Sequence, residues 1–540
     1  MDTITARLIQ RGSPFELQDA VIDGVPCKIF PRGAQNLLQM YRKAAALGTR
    51  EFIVDGTRRL TFAAVFGGAA HVAAALAAGG CAPRTRVALW LPNGADWVTA
   101  FIGITLAGCV PVLIHADAEP ASARAAAEQA QARLVMTTQP IAPNELTVED
   151  LIARSAALAP GTALPEPSSE DIALIGFTSG TTGVPKGIEL SHRNVVTGLM
   201  NMMLGGAIAG ARAAVGNPST RPAAAVNYAP CSMLFAPLSH ISGFAQILLM
   251  AHAGGKVVLA GEWETAEILT CVAQEKVRSF SGATPTLLRK VLFALTPQHD
   301  VASLASLQLH GAALRKEFID EVTRVLPHVM IGTGYGMTET CGSVSVTTGA
   351  EFLADIAASG RPLPSVEVRI MGADGIPAAE GIAGELEVRG AMVMRGYCGR
   401  GDAPLDGGWL KTGDFARLEA GKLYVVDRLR DLFEIRGVRH SANAIEGAAG
   451  NHPAVDEAAI VTFDAAAKDD GIAIAIVLRE SQPDAETRLR AEILGRLAPL
   501  NFTPTLAFVD AMPRTASGKI NRLALKDRVH AIARYSKEVP

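Results

Sequence analysis

The segment from Ile172 to Val196 contains the densest group of residues that could bind an anion. A β-like run, Ile172–Phe177, leads into a loop of hydroxyl side chains, glycines and one lysine: Thr178, Ser179, Gly180, Thr181, Thr182, Gly183, Lys186 and Gly187. Glycines let backbone N–H groups approach a phosphate, hydroxyls hydrogen-bond to its oxygens, and the ammonium adds positive charge. Ser191 indicates that a helix begins just after the loop. We therefore predict a phosphate-binding loop, which differs from the Walker A pattern because a glycine follows the lysine.

Alternating β-branched and Ala/Leu-rich runs surround this loop, from about Leu60 to Leu259. They predict a parallel sheet covered by helices, and the same alternation up to Gly332 predicts a second layered sheet. Beyond Gly360, short strands separated by turns predict a small β-rich subdomain. The segment 205–229 is rich in Gly, Ala and Pro without periodicity, so we predict an exposed loop insertion there. The expected fold class is α/β, with both layered subdomains and the β-rich subdomain in one large N-terminal domain.

The last part of the chain has helices and strands of its own and predicts a small α+β domain. The charged string DRLRDLFEIRG, which begins at Asp427, separates it from the preceding residues. We predict an N-terminal domain over residues 1–427, a hinge over residues 428–430 and a mobile C-terminal domain over residues 431–540.

The composition indicates a compact enzyme rather than a disordered or nucleic-acid-binding protein. Hydrophobic residues make up 49% of the 540 residues and charged residues 19%, and 50 Lys and Arg against 53 Asp and Glu give a net charge of −3. That balance disfavours binding to polyanions through bulk charge. Seven cysteines, an odd number without a CxxC pair, predict a reduced, cytoplasmic protein with neither a disulfide framework nor a zinc site.

Neither a secretory signal nor a membrane span is expected. The N-terminal string MDTITARLIQRGSPFEL lacks the uninterrupted apolar core of a signal peptide. The longest apolar stretch, Val98–Ile114, contains glycine and proline and falls short of the ~20 residues that a spanning helix requires. We predict a buried helix followed by a strand for this stretch.

The string FTSGTTGVPKG, residues 177–187, resembles the signature loop of the acyl-adenylate-forming, or AMP-binding, enzymes. This superfamily includes acyl-CoA synthetases, the adenylation domains of nonribosomal peptide synthetases and luciferases. The resemblance continues from Leu60 to the string PRTASGKINR that ends at Arg522, with the family's motifs in order and at similar spacing. The layout around the loop is most similar to that of bacterial medium- and long-chain acyl-CoA synthetases, the fatty acid–CoA ligases.

The resemblance implies that the phosphate-binding loop binds ATP and that Thr178 takes part in catalysis. In GYGMTET, residues 334–340, Tyr335 would stack on adenine and Thr338 would contact phosphate. Glu339 would act in catalysis and bind Mg²⁺, for which a carboxylate oxygen is a suitable ligand. Asp414 would accept hydrogen bonds from the ribose hydroxyls. The residues implied to bind ATP outside the loop are Gly311, Ala312, Tyr335, Thr338, Asp414, Arg428 and Lys519.

Two more strings imply an acyl pocket. FAPLSHISG, residues 235–243, is similar to the family segment in which a histidine or aromatic residue gates the carboxylate pocket. His240 occupies that position and is implied to take part in catalysis. LHGAAL, residues 309–314, is similar to a Gly-Gly-Ala-Pro turn, with His310 in place of the first glycine. Amino-acid-activating relatives carry an aspartate near the His240 position, so its absence here disfavours amino acids as substrates. The implied acyl-pocket residues are His240, His310, Gly311 and Gly336.

The C-terminal domain is implied to carry a catalytic lysine. Lys519, in a Ser-Gly-Lys turn, would reach the carboxylate and the α-phosphate and offset charge that builds in the transition state. Arg430 occupies the position of the family hinge, and Gly437 lies in the loop that approaches the thiol channel after the domain rotates. Ala442 and Ala444 stand where the family usually has a proline and an acidic residue, so the identity of the acyl acceptor stays open.

These inferences predict an ATP-dependent acid–thiol ligase. A carboxylic acid, with a fatty acid as first choice, would form an acyl-adenylate with release of pyrophosphate and then pass its acyl group to coenzyme A. Bulky aromatic or terpenoid acids fit the same pattern, and a carrier-protein phosphopantetheine is the alternative acceptor. A non-catalytic nucleotide-binding regulator is the alternative from another class, and the presence of Lys186, Glu339 and Lys519 argues against it. We expect ATP, Mg²⁺ and coenzyme A as cofactors or co-substrates, and a monomer or a homodimer.

Overall fold

The computed structural model describes residues 2–140, 142, 144–155, 166–178, 185–216, 228–261, 263–309, 316–399, 405–435, 438–462, 472–479, 486–498, 504–514 and 520–537. The chain is divided into two units. The first contains Met1–Arg369, Glu387–Thr412 and Leu418–Tyr424, and the second contains Ile370–Leu386, Gly413–Arg417 and Val425–Pro540. The predicted domain limits at residues 427 and 431 stay predictions.

Several helices begin at a polar side chain that accepts a backbone N–H, as Asn36 does from Gln39 and Ser441 does from Ala444. The α-helices are α1 (Thr3–Ile9), α2 (Leu37–Ala45), α3 (Phe62–Ala78), α4 (Ala95–Leu106), α5 (Pro120–Gln129), α6 (Val148–Ser155), α7 (His192–Gly216), α8 (Ile241–Ala253), α9 (Thr265–Glu275), α10 (Pro285–Ala294), α11 (Lys316–Val325), α12 (Gly349–Ala354), α13 (Ala442–Gly450), α14 (Glu486–Leu497) and α15 (Arg522–Lys537). Two short 3₁₀ turns span Thr338–Thr340 and Leu429–Asp431.

The strands are short, and several of those that pair in parallel are mostly apolar runs. They are β1 (Gln18–Ile22), β2 (Val25–Ile29), β3 (Glu51–Asp55), β4 (Arg58–Thr61), β5 (Arg86–Trp90), β6 (Val110–Leu113), β7 (Leu134–Thr137), β8 (Glu145–Leu146), β9 (Ile172–Thr178), β10 (Lys186–Ser191), β11 (Cys231–Leu234), β12 (Lys256–Leu259), β13 (Ser279–Ser281), β14 (Ser306–Gln308), β15 (Met330–Met337), β16 (Gly342–Thr348), β17 (Arg361–Pro362), β18 (Glu367–Met371), β19 (Gly384–Arg389), β20 (Gly396–Tyr397), β21 (Leu405–Asp406), β22 (Trp409–Glu419), β23 (Lys422–Arg428), β24 (Leu432–Ile435), β25 (Val438–Ser441), β26 (Val455–Thr462), β27 (Ile472–Leu478) and β28 (Thr505–Phe508).

Two sheets form the body of the first unit. One has the strand order β20-β10-β9-β6-β5-β7-β8, and the other has the order β17-β16-β15-β14-β13-β11-β12-β3-β4. Strands β6, β11 and β12 pair in parallel with their neighbours and are almost wholly buried, which explains the apolar runs in the sequence. The predicted pair of layered α/β subdomains is thereby confirmed, although the strand that contains Leu60 joins the second sheet rather than the first.

The apolar stretch Val98–Ile114 forms the greater part of α4 and then β6, and nearly all of it is buried. The prediction of a buried helix followed by a strand is confirmed. Helix α7 is long and apolar enough over residues 192–215 to meet the length and composition of a membrane span. The fold buries 67% of the most apolar window of this helix, as is usual for the core helix of a globular protein.

The prediction of an exposed loop over 205–229 is wrong for residues 205–216, which continue helix α7. Residues 217–227 lie outside the described part of the chain. The glycines led to this wrong prediction. Glycine has a free-energy cost in a helix, and here close packing offsets that cost. Gly205 lies against β16, where an added Cβ would be 3.2 Å from Val346 Cγ2, and Arg212 forms ion pairs with Asp2 and Glu351. Tertiary contacts therefore stabilise a helix that local composition disfavours.

Beyond Gly360, strands β18, β19, β22, β21 and β23 form a five-stranded sheet, in which β21 and β22 are antiparallel. The predicted β-rich subdomain is confirmed. In the second unit, β26, β27 and β28 form a sheet whose alternate residues face different helices. Ile474 and Ile476 pack with Ile445 and Ile493 of α13 and α14, whereas Ala473 packs with residues of α15. The predicted small α+β domain is confirmed as a fold class.

All seven cysteines are free thiols: Cys27, Cys81, Cys109, Cys231, Cys271, Cys341 and Cys398. All but Cys271 are buried. Burial raises the pKa of the Cys109 and Cys231 thiols to about 12. The folded chain therefore holds its thiols in the protonated form at neutral pH.

Candidate nucleotide and acyl site

The phosphate-binding loop joins two paired strands of the first unit. Strands β9 and β10 are antiparallel, and Lys186 lies opposite Thr178 in their register. The loop residues between them, Ser179, Gly180, Thr181, Thr182 and Gly183, lie outside the described residues. On its other edge β10 pairs with β20, which places Tyr397 opposite Ile188. The structure thus fixes both ends of the loop and brings Tyr397 to the neighbouring strand.

Tyr397, which the sequence analysis missed, connects two of the predicted site residues. Its hydroxyl donates a hydrogen bond to Oε1 of Glu339 over 3.3 Å, and Nζ of Lys186 lies 5.0 Å from the centre of its ring. A positive charge over an aromatic face is stabilised, and more so where water is displaced. Tyr397 therefore contacts both Glu339, which is only 7% exposed, and Lys186 of the phosphate-binding loop. The sequence signal was weak, because nothing in it shows which strand pairs with β10.

The backbone of Glu339 is held in a 3₁₀ turn by buried hydrogen bonds. The hydroxyl of Thr340 is fully buried and accepts a backbone N–H at 3.1 Å. The carbonyl oxygen of Glu339 accepts the N–H of Met394 at 2.8 Å. Thr338 lies against β9, since a Cβ added to Gly176 would be 3.5 Å from its Cγ2. Thr338 and Glu339 therefore stand beside the strand that leads into the phosphate-binding loop.

Asn194 is a second residue that sequence reasoning missed. Its buried Nδ2 donates to the carbonyl oxygens of Ala391 at 3.0 Å and Val393 at 2.7 Å. Its Oδ1 accepts the N–H of Ser191 at 2.8 Å, and the Ser191 hydroxyl accepts the N–H of Asn194 at 3.2 Å. This reciprocal pair caps α7, which confirms the predicted helix start at Ser191. The Asn194 side chain thus holds residues 391–393, which lie just before Met394, the residue whose N–H binds the carbonyl oxygen of Glu339.

Tyr335 and Gly336 lie at an irregularity in the pairing of β15 with β16. A Cβ added to Gly336 would be 2.1 Å from the carbonyl oxygen of Gly342, so the close approach of the two strands requires glycine there. The half-buried Tyr335 places its hydroxyl 3.8 Å from the sulfur of Met337, a weak contact. Packing accounts for Gly336, and its place in the acyl pocket stays a prediction.

The surroundings of Glu339 fit a magnesium ion that is held mainly by a nucleotide. Mg²⁺ prefers oxygen ligands, keeps several waters and is often bound through one or two carboxylates and substrate phosphates. Within the described residues, no group of three or more His, Cys, Asp or Glu could hold a metal ion by itself. Glu339 supplies one carboxylate for this mode of binding.

His240 is the N-cap residue of α8, at the end of a tightly folded loop. Its carbonyl oxygen accepts the N–H of Gly243 at 2.9 Å, and a Cβ at Gly243 would be 2.1 Å from the carbonyl oxygen of Pro237. The centre of its ring lies 5.8 Å from that of His115, with the ring planes inclined at 84°. His115 belongs to no motif that the sequence analysis singled out. Its place beside His240 becomes visible only in the fold.

In the second unit, the structure brings Asp414 and Arg428 together on strands β22 and β23. Nε of Arg428 lies 2.7 Å from Oδ1 of Asp414, whose side chain is only 4% exposed. The pair agrees with the prediction that both residues act at one place, and their contact with the ribose stays a prediction. Arg430 lies on the second 3₁₀ turn, with Nε 3.8 Å from Oδ2 of Asp431, and its hinge role is likewise a prediction.

The predicted residues His310, Gly311 and Ala312 lie outside the described residues, as does Gly437. The residue before the first of them is well held. The N–H of Leu309 donates to the carbonyl oxygen of Gly332 at 2.9 Å, and the hydroxyl of Thr333 donates to the carbonyl oxygen of Leu309 at 2.7 Å.

Lys519 also lies outside the described residues, in the segment 515–519 that we call the lysine loop. Both of its flanks are anchored. Arg514 and Ile520 form an antiparallel bridge across the loop. Beyond it, Nη1 of Arg522 donates to Oε1 of Glu446 at 2.7 Å and to the carbonyl oxygen of Ile460 at 2.8 Å.

Comparison of the sequence with known protein families identifies one family. The family described as AMP-binding enzyme matches residues 40–398, and the AMP-binding enzyme C-terminal domain matches residues 444–519. The 4-coumarate--CoA ligase-like 9 of Arabidopsis thaliana is 31% identical over 366 residues, which cover 66% of this chain and 62% of that protein. The 4-coumarate--CoA ligase 5 of Oryza sativa subsp. japonica is 27% identical over 528 residues, which cover 91% of this chain and 94% of that protein.

A solved structure extends the likeness to the fold. The O-succinylbenzoate Coenzyme A Synthetase (MenE) of Bacillus subtilis, in complex with ATP and magnesium ion, has a TM-score of 0.74 and 26% identity, with 90% of this chain and 99% of that chain covered. The match to the Arabidopsis protein, in contrast, spans less than two thirds of that protein's length. The family match covers most of the chain and includes the phosphate-binding loop, Glu339 and Tyr397. The chain therefore belongs to the AMP-binding enzyme family, the acyl-adenylate-forming enzymes that its motifs resemble.

Proposed function

We propose that this chain is an acid–thiol ligase that uses ATP to convert a carboxylic acid into an acyl-adenylate and then passes the acyl group to coenzyme A. The observation that carries the proposal is the cluster of Lys186, Tyr397 and Glu339 beside the two ends of the phosphate-binding loop. The names of the relatives, which are CoA ligases and a CoA synthetase, support the same reaction class.

In the first half-reaction, two anions must meet. A carboxylate oxygen of the acid forms a bond to the α-phosphorus of ATP, and the bond from that phosphorus to the pyrophosphate oxygen breaks. Lys186 and the hydroxyls of Thr178 and Thr338 would offset phosphate charge from fixed positions, which lowers the barrier without a cost of reorganisation. When bound through Glu339, Mg²⁺ supplies further neutralisation of the phosphate oxygens.

In the second half-reaction, the sulfur of coenzyme A forms a bond to the acyl carbon. The bond from that carbon to the adenylate oxygen breaks, AMP leaves, and the thiol proton is released. This step joins no pair of anions at phosphorus, so the ammonium of Lys519 would serve mainly the first half-reaction. His240 would border the acyl group in both steps.

Two classes of acid have support. The layout of the motifs favours a medium- or long-chain fatty acid. The curated relatives are named 4-coumarate--CoA ligase and the solved structure is an O-succinylbenzoate synthetase, which favours an aromatic acid. Coenzyme A is the proposed acceptor, with the phosphopantetheine of a carrier protein as the alternative.

The test is ATP–pyrophosphate exchange with a panel of fatty and aromatic acids, followed by product analysis with coenzyme A or with a phosphopantetheinylated carrier protein. We expect acid-dependent exchange and a CoA thioester. Absence of exchange with every acid would contradict the ligase proposal. Exchange without a CoA thioester, together with loading of the carrier protein, would instead support an acyl-AMP ligase.

We further propose that the protein acts in the cytoplasm, since its free thiols suit a reducing compartment. Fractionation of the native host with an antibody against the chain would test this. Monomer and homodimer remain alternatives that sedimentation of the purified chain would distinguish.

A further inference from the structure

His115 and His240 approach each other from two different sheets of the first unit. His115 follows β6 at the carboxyl end of that strand, and His240 follows β11 by six residues. Their ring centres are 5.8 Å apart and the planes nearly perpendicular. Ligand sites in open parallel sheets lie outside the carboxyl ends of the strands. The histidine pair therefore stands where this fold places substrates.

The hydrogen bonding of His115 fixes which of its ring nitrogens carries a proton. Nδ1 accepts the backbone N–H of Asp117 at 3.2 Å, whereas Oδ2 of the same aspartate lies 3.8 Å from Nδ1, beyond hydrogen-bond distance, so Nδ1 holds no hydrogen in the neutral ring. The proton of the neutral ring is then on Nε2. That Nε2 atom is buried, and it has no hydrogen-bond partner among the described residues. An unpaired buried donor is costly, so it indicates an acceptor that is supplied from elsewhere.

Both loops of the pair are held from the end of strand β5. Nε1 of Trp90 donates to the carbonyl oxygen of Ala116 at 3.2 Å, next to His115. Asn93, three residues later, donates through Nδ2 to the carbonyl oxygen of Ala236 at 3.1 Å and accepts the N–H of Leu238 through Oδ1 at 2.8 Å. The two histidine loops are thus positioned from one strand end, as a preorganised binding site requires.

We propose that His115 is a substrate-binding residue of the acyl pocket, whose Nε2–H donates a hydrogen bond to an oxygen atom of the acyl substrate. This inference rests on the proposed ligase function. The acceptor is either the reacting carboxyl group, in the acid and its adenylate, or a second oxygen further along the acid, such as a hydroxyl. In either case the buried Nε2–H of His115 donates to an oxygen atom of the substrate.

The test compares three replacements of His115. The amide nitrogen of glutamine can take the place of Nε2, whereas asparagine reproduces only the Nδ1 side that faces Asp117, and leucine removes both. We expect His115→Gln to keep most of the kcat/KM for adenylation. His115→Asn and His115→Leu should each lose roughly tenfold, the scale of one hydrogen bond to a substrate.

Two acids of equal length identify the oxygen: a hydrocarbon acid and its hydroxylated counterpart, such as dodecanoic and 12-hydroxydodecanoic acid or cinnamic and 4-hydroxycinnamic acid. An equal loss for both acids assigns the bond to the reacting carboxyl group. A loss confined to the hydroxylated acid assigns it to the second oxygen. If His115→Asn and His115→Leu stay within twofold of the wild type for every acid, or if His115→Gln is no better than they are, the proposal is overturned.

His299→Leu is the matched control, because Nδ1 of His299 likewise accepts a backbone N–H, from Thr296 at 3.1 Å, and lies in an unrelated loop. Its kcat/KM should equal that of the wild type. The second readout is calorimetric binding of two non-hydrolysable acyl-sulfamoyl adenosines, one with the hydrocarbon acyl group and one with its hydroxylated counterpart. If the wild type supports no exchange at all, the ligase proposal fails. Kd values for both compounds that are unchanged by His115→Asn would separately overturn the His115 proposal.

Discussion

Glu339 and the lysine loop lie in different units, and the two regions are supported in different ways. Around Glu339, side chains contact one another directly: Tyr397 touches both Glu339 and Lys186, and Asn194 holds the neighbouring backbone by several hydrogen bonds. The residues that flank the lysine loop are held by the bridge of Arg514 with Ile520 and by the part-buried hydrogen bonds of Arg522.

A substitution should therefore affect fold stability and the reaction rate together in one region and separately in the other. Where functional and supporting side chains share hydrogen bonds, a substitution changes the fold and the reaction together. For the lysine loop, we expect the Lys519 side chain to serve the reaction and to contribute little to the fold. The predictions below test that contrast, from the largest expected effect to the smallest.

Lys519→Ala should give the largest change in activity and almost none in stability. Loss of a preorganised positive charge should slow acyl-adenylate formation by ~10²-fold or more. Transfer to coenzyme A from a chemically prepared acyl-adenylate should stay near the wild-type rate. Single-turnover kinetics of the two half-reactions and urea unfolding provide the measurements. Lys526→Ala, which removes the same charge from helix α15, is the control, and equal damage to both half-reactions would contradict the assigned role.

Asn194→Ala should reduce stability and adenylation together. The change leaves buried carbonyl oxygens of Ala391 and Val393 without their donor, which costs about 2–3 kcal/mol. Ser441→Ala is the counterpart in the second unit, where loss of the N-cap costs about 1 kcal/mol and loss of the hydrogen bond from the Ser441 hydroxyl to the buried Asp427 carboxylate adds to that cost. Urea unfolding and pyrophosphate exchange measure both variants. If Asn194→Ala unfolds like the wild type, or if it is destabilised yet fully active, the coupling that we infer around Glu339 is absent.

Acid should destabilise the first unit through His192. Burial lowers the pKa of His192 from 6.5 to about 4, and its Nδ1 accepts the N–H of Leu37 at 3.3 Å. Between these two values the unfolded chain binds a proton that the folded chain does not. Stability is therefore complete above the unfolded pKa and falls as the pH drops through this window, by about 2 kcal/mol from pH 7 to pH 5.

His192→Asn offers an acceptor to Leu37 but does not titrate, so its stability should change less over the same pH range. Urea unfolding at several pH values measures the difference between the two proteins. An identical pH dependence of the variant and the wild type would show that other groups dominate the acid response.

Tyr397→Phe should have the smallest effect, because it keeps the ring below Lys186 and removes only the hydroxyl that reaches Glu339. Loss of one hydrogen bond of 3.3 Å should lower the rate of adenylation by roughly 3- to 10-fold and raise the Mg²⁺ concentration for half-maximal exchange. Tyr397→Leu removes both contacts and should lose more. If the two variants have the same rate of adenylation, the contact of the ring with Lys186 does not contribute to activity.

The fold and the site could be predicted from the sequence to different degrees. Continuous apolar runs and turn residues are local signals, so the layered sheets, the buried run Val98–Ile114 and the Ser191 cap were predicted correctly. The later part of helix α7, residues 205–216, was missed because its glycines are compensated by contacts with a distant strand. Tyr397, Asn194 and His115 were missed for the same reason: their partners are remote in sequence and no local pattern marks them.

The distribution of the thiols gives the folded chain a built-in reporter of where it opens. All seven cysteines belong to the first unit, and the residues assigned to the second unit contain none. Raised pKa values leave little reactive thiolate while the fold is intact, as for Cys271 at about 11. A thiol-specific reagent added during denaturation would thus record opening of the first unit alone. The second unit is chemically silent in such an experiment, so a single cysteine introduced there would allow the two units to be followed separately in one molecule.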